Sequence, residues 1–124
     1  MEKIKIKSSL PDRIFKLDQV IQFDSQAAKK NFFYETTRTA GAIWCLNPGQ
    51  ELVEHSHKAD DDLWVCLQGS ATFYPGNGEE IEISAGDMII SKPGDHHGVK
   101  NTSDGQFIFL GVAGPNPLDF IPAN

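Results

Sequence analysis

The sequence predicts an all-β sandwich or barrel, and three observations lead there. From residue 40 onward apolar runs of about five to eight residues recur, the length of strands rather than of helices. Turn chemistry stands at the breaks, as in Asn47-Pro48-Gly49, Pro75-Gly76-Asn77-Gly78, Ala85-Gly86-Asp87 and Pro93-Gly94-Asp95. The breaks return at intervals of about 8 to 12 residues, which is the rhythm of a closed or two-layered antiparallel architecture.

Taken in order, residues 1–39 read as N-terminal strands or an extended arm packing on the barrel. Apolar residues alternate with polar ones around Ile4 and Ile6 and again around Ile14, Phe15 and Leu17, with the turn-like Ser8-Ser9-Leu10-Pro11-Asp12 between them. Ser25 to Lys30 fits one helical turn or a bend before the β-prone Phe32-Phe33-Tyr34. Residues 40–113 are the barrel proper. Strands are expected at Ala42 to Leu46, at Leu52 to His57 and at Asp62 to Tyr74, the last one long and bent at Gly69. A hairpin at residues 75–78 leads to Ile81 and Ile83, and Met88 to Ser91, His97 to Asn101 and Phe107 to Val112 complete the series. The tail, 114–124, is proline-rich but carries Leu118, Phe120 and Ile121, so it is expected to lie extended across the barrel. The whole is one domain, as 124 residues suffice for a single core.

Charge and composition narrow the partners. The net charge of −6 and eleven scattered Lys and Arg leave no electrostatic footprint for nucleic acid or an anionic membrane. No apolar run reaches the roughly 18 residues of a membrane span, and charges run through the N-terminus where a signal peptide needs an apolar stretch. A cytoplasmic protein acting on a small molecule is expected. Cys45 and Cys66, widely spaced, read as free buried thiols. The Ile4-Ile6 strand and the apolar tail are placed to cover a sheet edge or to pair with a second copy, so a homodimer is expected.

The chemistry concentrates in Gly49 to Gly69. His55 and His57 are two apart on a strand, so their side chains leave the same face about 6 to 7 Å apart along it. The same alternation puts Asp62, Trp64 and Cys66 on one face and Leu63, Val65 and Leu67 on the other. Gly49, His55, His57, Asp62 and Gly69, followed by Gly86, Gly94, His97 and Asn101, resemble the paired motifs of the cupin superfamily, with sixteen residues between Gly69 and Gly86. Two positions depart from the pattern: Asp62 stands for a glutamate, and Lys92 stands where the family has proline, which comes one later as Pro93.

The resemblance implies a double-stranded β-helix, or jelly-roll barrel, with His55, His57, Asp62 and His97 as metal ligands. Asp61 also meets the spacing from His57, but counting back from Gly69 selects Asp62. Aspartate is about 1.5 Å shorter in reach than glutamate, so direct and water-bridged coordination both stay open. Imidazoles with a carboxylate suit iron first, with Mn, Ni or Zn as alternatives. Trp64 and Cys66 are expected to line the pocket. Phe107, Phe109, Met88 and Ile90 are expected in core and wall, and Asp60, His96 and the Glu79-Glu80-Glu82 hairpin in solvent. Lys92 is either a surface lysine or a partner for an anionic substrate. The resemblance leaves three functions open: a dioxygenase-like enzyme, a metal-dependent isomerase or lyase, and a non-catalytic small-ligand binder.

Overall fold

The structure, a computed structural model, describes Lys3, residues 13–115 and residues 119–123. Among the described residues there are ten strands: β1 (Lys29–Glu35), β2 (Ala40–Leu46), β3 (Glu51–Ser56), β4 (Asp61–Gln68), β5 (Ser70–Phe73), β6 (Ile81–Ser84), β7 (Met88–Ser91), β8 (His97–Lys100), β9 (Phe107–Gly114) and β10 (Ile121–Pro122). They form two five-stranded sheets with antiparallel pairing, β1-β2-β9-β4-β7 and β10-β3-β8-β5-β6, which face each other as a double-stranded β-helix. The fold is all-β, as the sequence predicts. The one helical piece is a 3₁₀ turn at Leu17–Gln19, and among the described residues no helix is long and apolar enough to cross a membrane.

The expected long strand from Asp62 to Tyr74 is instead two strands in different sheets. Gly69 adopts φ 81°, and a Cβ there would lie 2.2 Å from the Gln106 carbonyl oxygen. Only glycine accommodates that corner, where the chain leaves β4 in one sheet and enters β5 in the other. Apolar periodicity runs straight through the corner, so the sequence alone reads it as a bend.

Between the two alternatives for the arm, the described residues 13–28 follow the extended arm rather than strands. Ile4, Ile6 and the turn at residues 8–12 lie outside the described residues. Residues 13–28 contain no strand, and the chain bends at 25–27 before β1 takes up Phe32, Phe33 and Tyr34. The arm nevertheless packs: Phe15, Leu17, Val20, Ile21 and Phe23 cover the outer face of the first sheet against Phe33, Ile43, Cys45 and Ile108. Its apolar alternation marks burial on a sheet rather than membership of one.

A separate core fills one end of the space between the sheets, with Leu46, Cys66, Phe73, Ile83, Val99, Phe107 and Phe109. Cys45 and Cys66 are free and buried in different clusters. Asn101, fully buried, donates to the Leu46 carbonyl at 2.9 Å and the Gly105 carbonyl at 2.8 Å, pinning the turn after β8. Met88 and Ile90, expected in core and wall, are 58% and 54% exposed. They stand on edge strand β7 opposite Val65 and Leu63, on the outer face of the sheet.

Candidate metal centre

The second sheet brings the histidines together. His55 on β3 and His97 on β8 are direct cross-strand partners, and His57 follows just past the end of β3. A register shift between Leu52 and His55 makes this possible. Leu52 and His55 are three apart, and strict alternation would put them on opposite faces; the bulge turns both inward. The ring centroids then lie 4.2 Å apart for His55 and His97, 5.2 Å for His55 and His57, and 5.0 Å for His57 and His97.

The carboxylate comes from the opposite sheet. Asp62 on β4 is buried while Asp61 is exposed, as the parity of the strand requires. Its Oδ2 lies 3.2 Å from His57 Nε2 and 3.0 Å from His97 Nε2. The shorter aspartate therefore reaches the imidazoles. Ligand atoms of His55, His57, Asp62 and His97 all fall within 4.8 Å of one another.

The tautomers are arranged for coordination. His55 Nδ1 donates to the Val53 carbonyl at 2.8 Å, and His57 Nδ1 donates to the Asp119 carbonyl at 2.6 Å. Backbone acceptors thus fix both rings and leave each Nε2 to face its neighbours, the arrangement in which outer partners orient metal-bound imidazoles. His97 is 1% exposed; its Nε2 lies 3.0 Å from Asp62 Oδ2, and its Nδ1 has no hydrogen-bond partner. Buried imidazoles and a carboxylate this close together bring several lone pairs to one point out of reach of water, and a cation at the centre of the cluster is the group that satisfies them. The residues present fit a divalent transition metal.

The electrostatics agree in direction. Burial holds the His55 pKa down to about 4, with the neighbouring imidazoles adding to the effect, so the ring is neutral and its lone pair available at pH 7. For Asp62 burial pushes upward, but hydrogen bonds and charge from His57 and His97 outweigh it and bring the carboxyl to about 2. His57 is raised, chiefly by its bond to Asp62.

Trp64 stands edge-on to His97, with ring centroids 5.3 Å apart, and lines a cavity of about 630 Å³ that opens onto the histidines. Cys66, two residues further along β4, sits in the core behind it and does not line the cavity. Burial pushes its thiol up to about 11, so it stays protonated at pH 7, and it stands outside the ligand cluster. Lys92 is exposed and away from the cavity wall, where the lysine present is Lys30. His96 points away from the centre, 2.7 Å from the Glu54 carboxylate.

Asp60 corrects an expectation. It is 2% exposed rather than solvated, its Oδ2 has no partner, and burial raises its pKa. The cause is the tail: the Asp119 backbone bonds to the Asp60 carboxyl, and the Asp119 carboxylate accepts from Lys58 N–H at 3.0 Å. β10 then pairs with β3, and Phe120 stacks on His55 with centroids 4.5 Å apart. Asp119 and Phe120 reach the histidines and line the cavity, and motif spacing misses both. The apolar residues of a proline-rich tail were the signal for them, without saying where they land.

These geometries meet independent likenesses. Residues 42–113 match the Cupin domain family. An oxalate-binding protein of Thermotoga maritima is 31% identical over 67 residues, covering 54% of this chain and 54% of its own length, so the chain matches about half of that curated relative. A Klebsiella pneumoniae protein described as having a double-stranded β-helix domain superposes with a TM-score of 0.85 at 33% identity, over 90% of this chain and 97% of that one. A cupin superfamily protein of Desulfitobacterium hafniense superposes at 0.73 with 16% identity, over 94% and 100% of the two chains. With the family matched over most of the barrel and the buried histidine and aspartate cluster at its centre, this chain belongs to the cupins.

Proposed function

We propose that this chain is a metal-dependent enzyme acting on a small molecule with oxygen donors, with iron as the metal and dioxygenase-like chemistry. The observation that carries the reading is the cluster itself: three imidazoles and one carboxylate within 4.8 Å, of which His55, His57 and Asp62 line a cavity of about 630 Å³. That volume is in the range of small-molecule sites. His55, His57 and His97 would hold the metal, with Asp62 as the fourth ligand. A metal bound there supplies Lewis acidity and, as iron(II), a place for dioxygen to be activated.

The chain's own residues do the rest. Val53 and Asp119 carbonyls hold two imidazoles in the coordinating tautomer. Phe120 and Trp64 flank the histidines and keep bulk water off them. Anaerobically purified protein is expected to hold close to one iron per chain by elemental analysis and to consume oxygen with a 1,2-diketone, catechol or thiol. Protein that neither retains nor rebinds metal overturns the reading.

The relative named for oxalate binding favours a second reading, a binder without catalysis. Metal-loaded protein that binds oxalate, consumes no oxygen with any of these compounds and leaves them unchanged supports it. An isomerase or lyase reaction would instead convert substrate without oxygen uptake. We place the protein in the cytoplasm as a homodimer, in which a second copy would cover the exposed Met88 and Ile90. Light scattering on Met88→Glu/Ile90→Glu, expected to give a monomer, tests the pairing.

A further inference from the structure

The register of the first sheet lays its inward side chains in rows. Asp62 stands beside Ala113, then Ala40, then Glu35; Trp64 stands beside Gly111, then Ala42, then Phe32; Cys66 stands beside Phe109, then Trp44, then Lys30. The third row is packed core at its Cys66 and Phe109 end. The first two rows carry only alanine and glycine between the metal-facing residues and β1. Facing sheets lie about 10 Å apart, a gap that large side chains fill from both sides. Over Ala40, Ala42, Gly111 and Ala113 one side is missing, which leaves a layer about one ring thick.

Gly111 is the telling residue. Its φ is not in the left-handed region, so the backbone does not need glycine. A Cβ there would meet the Trp64 Cδ1 at 3.6 Å and the Trp44 Cδ1 at 3.8 Å, ordinary contacts, so packing does not need glycine either. Glycine inside a strand is destabilising relative to alanine, and where neither conformation nor crowding requires it, it marks the close approach of a ligand. The missing Cβ opens a gap between the indole edges of the two tryptophans, both of which line the cavity. Phe120 lines the same cavity, stacked on His55 of the opposite sheet. The slot ends at the cluster, where His55, His57 and Asp62 line the cavity.

Building on the metal reading above, we propose that this slot selects a planar, ring-bearing ligand whose oxygen donors face His55, His57, His97 and Asp62. Gly111 and Ala42 set the specificity. Small aliphatic chelators with the same donors reach the metal but leave the slot unfilled. A ring lying over Gly111 meets both indole edges, the geometry in which aromatic groups attract.

The protein reports on this itself, because Trp44 and Trp64 are its only two tryptophans. The zinc-loaded protein, which avoids redox chemistry, is titrated with catechol and with oxalate while indole fluorescence is followed and zinc content is measured on the same sample. Catechol is expected to quench the fluorescence and to bind at least tenfold more tightly than oxalate. Gly111→Ala is expected to weaken catechol at least tenfold, to leave oxalate affinity and zinc content unchanged, and not to lower the melting temperature. Ala42→Val, a larger plug checked for folding by circular dichroism, is expected to do the same. Oxalate binding as tightly as catechol, or both variants losing the two ligands equally, overturns the slot while leaving the metal reading intact. Wild-type protein that takes up no zinc overturns the metal reading. In that case benzoate against acetate on the metal-free protein tests the slot alone, and equal binding of the two overturns it.

Discussion

The two sheets contribute unequally to one site. The second supplies all three imidazoles, two of them anchored by backbone carbonyls through Nδ1. The first supplies Asp62, both tryptophans and the alanine and glycine floor, and the partners recorded for the Asp62 carboxylate are the imidazoles themselves. One sheet therefore positions its donors before any metal arrives, while the other offers a carboxylate whose place depends on how the sheets meet. Preorganised ligands should matter more to metal retention than the one that closes over them.

The sharpest way to break this contrast is to remove one ligand from each sheet. His55→Ala, which removes an imidazole anchored by the Val53 carbonyl, is expected to abolish stoichiometric metal, read by elemental analysis after dialysis. Asp62→Asn, nearly isosteric, is expected to weaken metal by about 10- to 100-fold and no more. Equal losses would show that the sheets contribute alike.

The packed end of the first sheet should be indifferent to metal. Phe109→Ala removes a fully buried ring between Trp64 and Phe107 and is expected to destabilise the protein by about 3–5 kcal/mol in chemical denaturation. The loss should be the same with and without metal.

A smaller effect isolates His55. Its folded pKa, about 4, lies below the ordinary 6.5, so the unfolded chain takes up a proton that the folded protein refuses. The neutral ring's contribution is complete above pH 6.5 and is lost as pH falls toward 4. His57 is raised and works in the opposite sense, being most favourable below 6.5 and fading as pH rises. Comparison with His55→Gln separates them: in metal-free protein, the stability difference between wild type and variant should move in the variant's favour by about 2 kcal/mol from pH 7 to pH 5. An invariant difference would place His55 in a wetter site than its burial indicates.

The smallest effect belongs to the outer face of the first sheet. Asp61→Asn changes an exposed side chain on that face and is expected to alter stability by no more than about 0.5 kcal/mol.

The same contrast explains how much was legible beforehand. Strand positions from residue 40 follow apolar runs and turn residues, since both are local. The histidine set is nearly as local: His55 and His57 share a face by alternation, and the motif spacing carries His97 to them. Asp62 was chosen over Asp61 by parity, and burial separates the two in the same way. What failed was whatever depended on distant chain. Asp60 reads as a solvated acid because nothing nearby buries it; residues around Asp119, far along the chain, do. Cys66 shares a face with Trp64, yet one sits in the wall and the other behind it, because parity gives the face and not the depth. Met88 and Ile90 read as core because their hydrophobicity carries no record of which face of an edge strand they occupy.

The sequence by itself determined the strand rhythm, the turns and the identity of the donor atoms, because period, turn chemistry and ligand type are properties of neighbouring residues. Tertiary structure alone decided the corner at Gly69, the bulge that turns His55 inward, the tail laid over the histidines and the slot above Gly111. Each of these depends on contacts between residues remote in the chain, and no local pattern encodes the distance between two sheets.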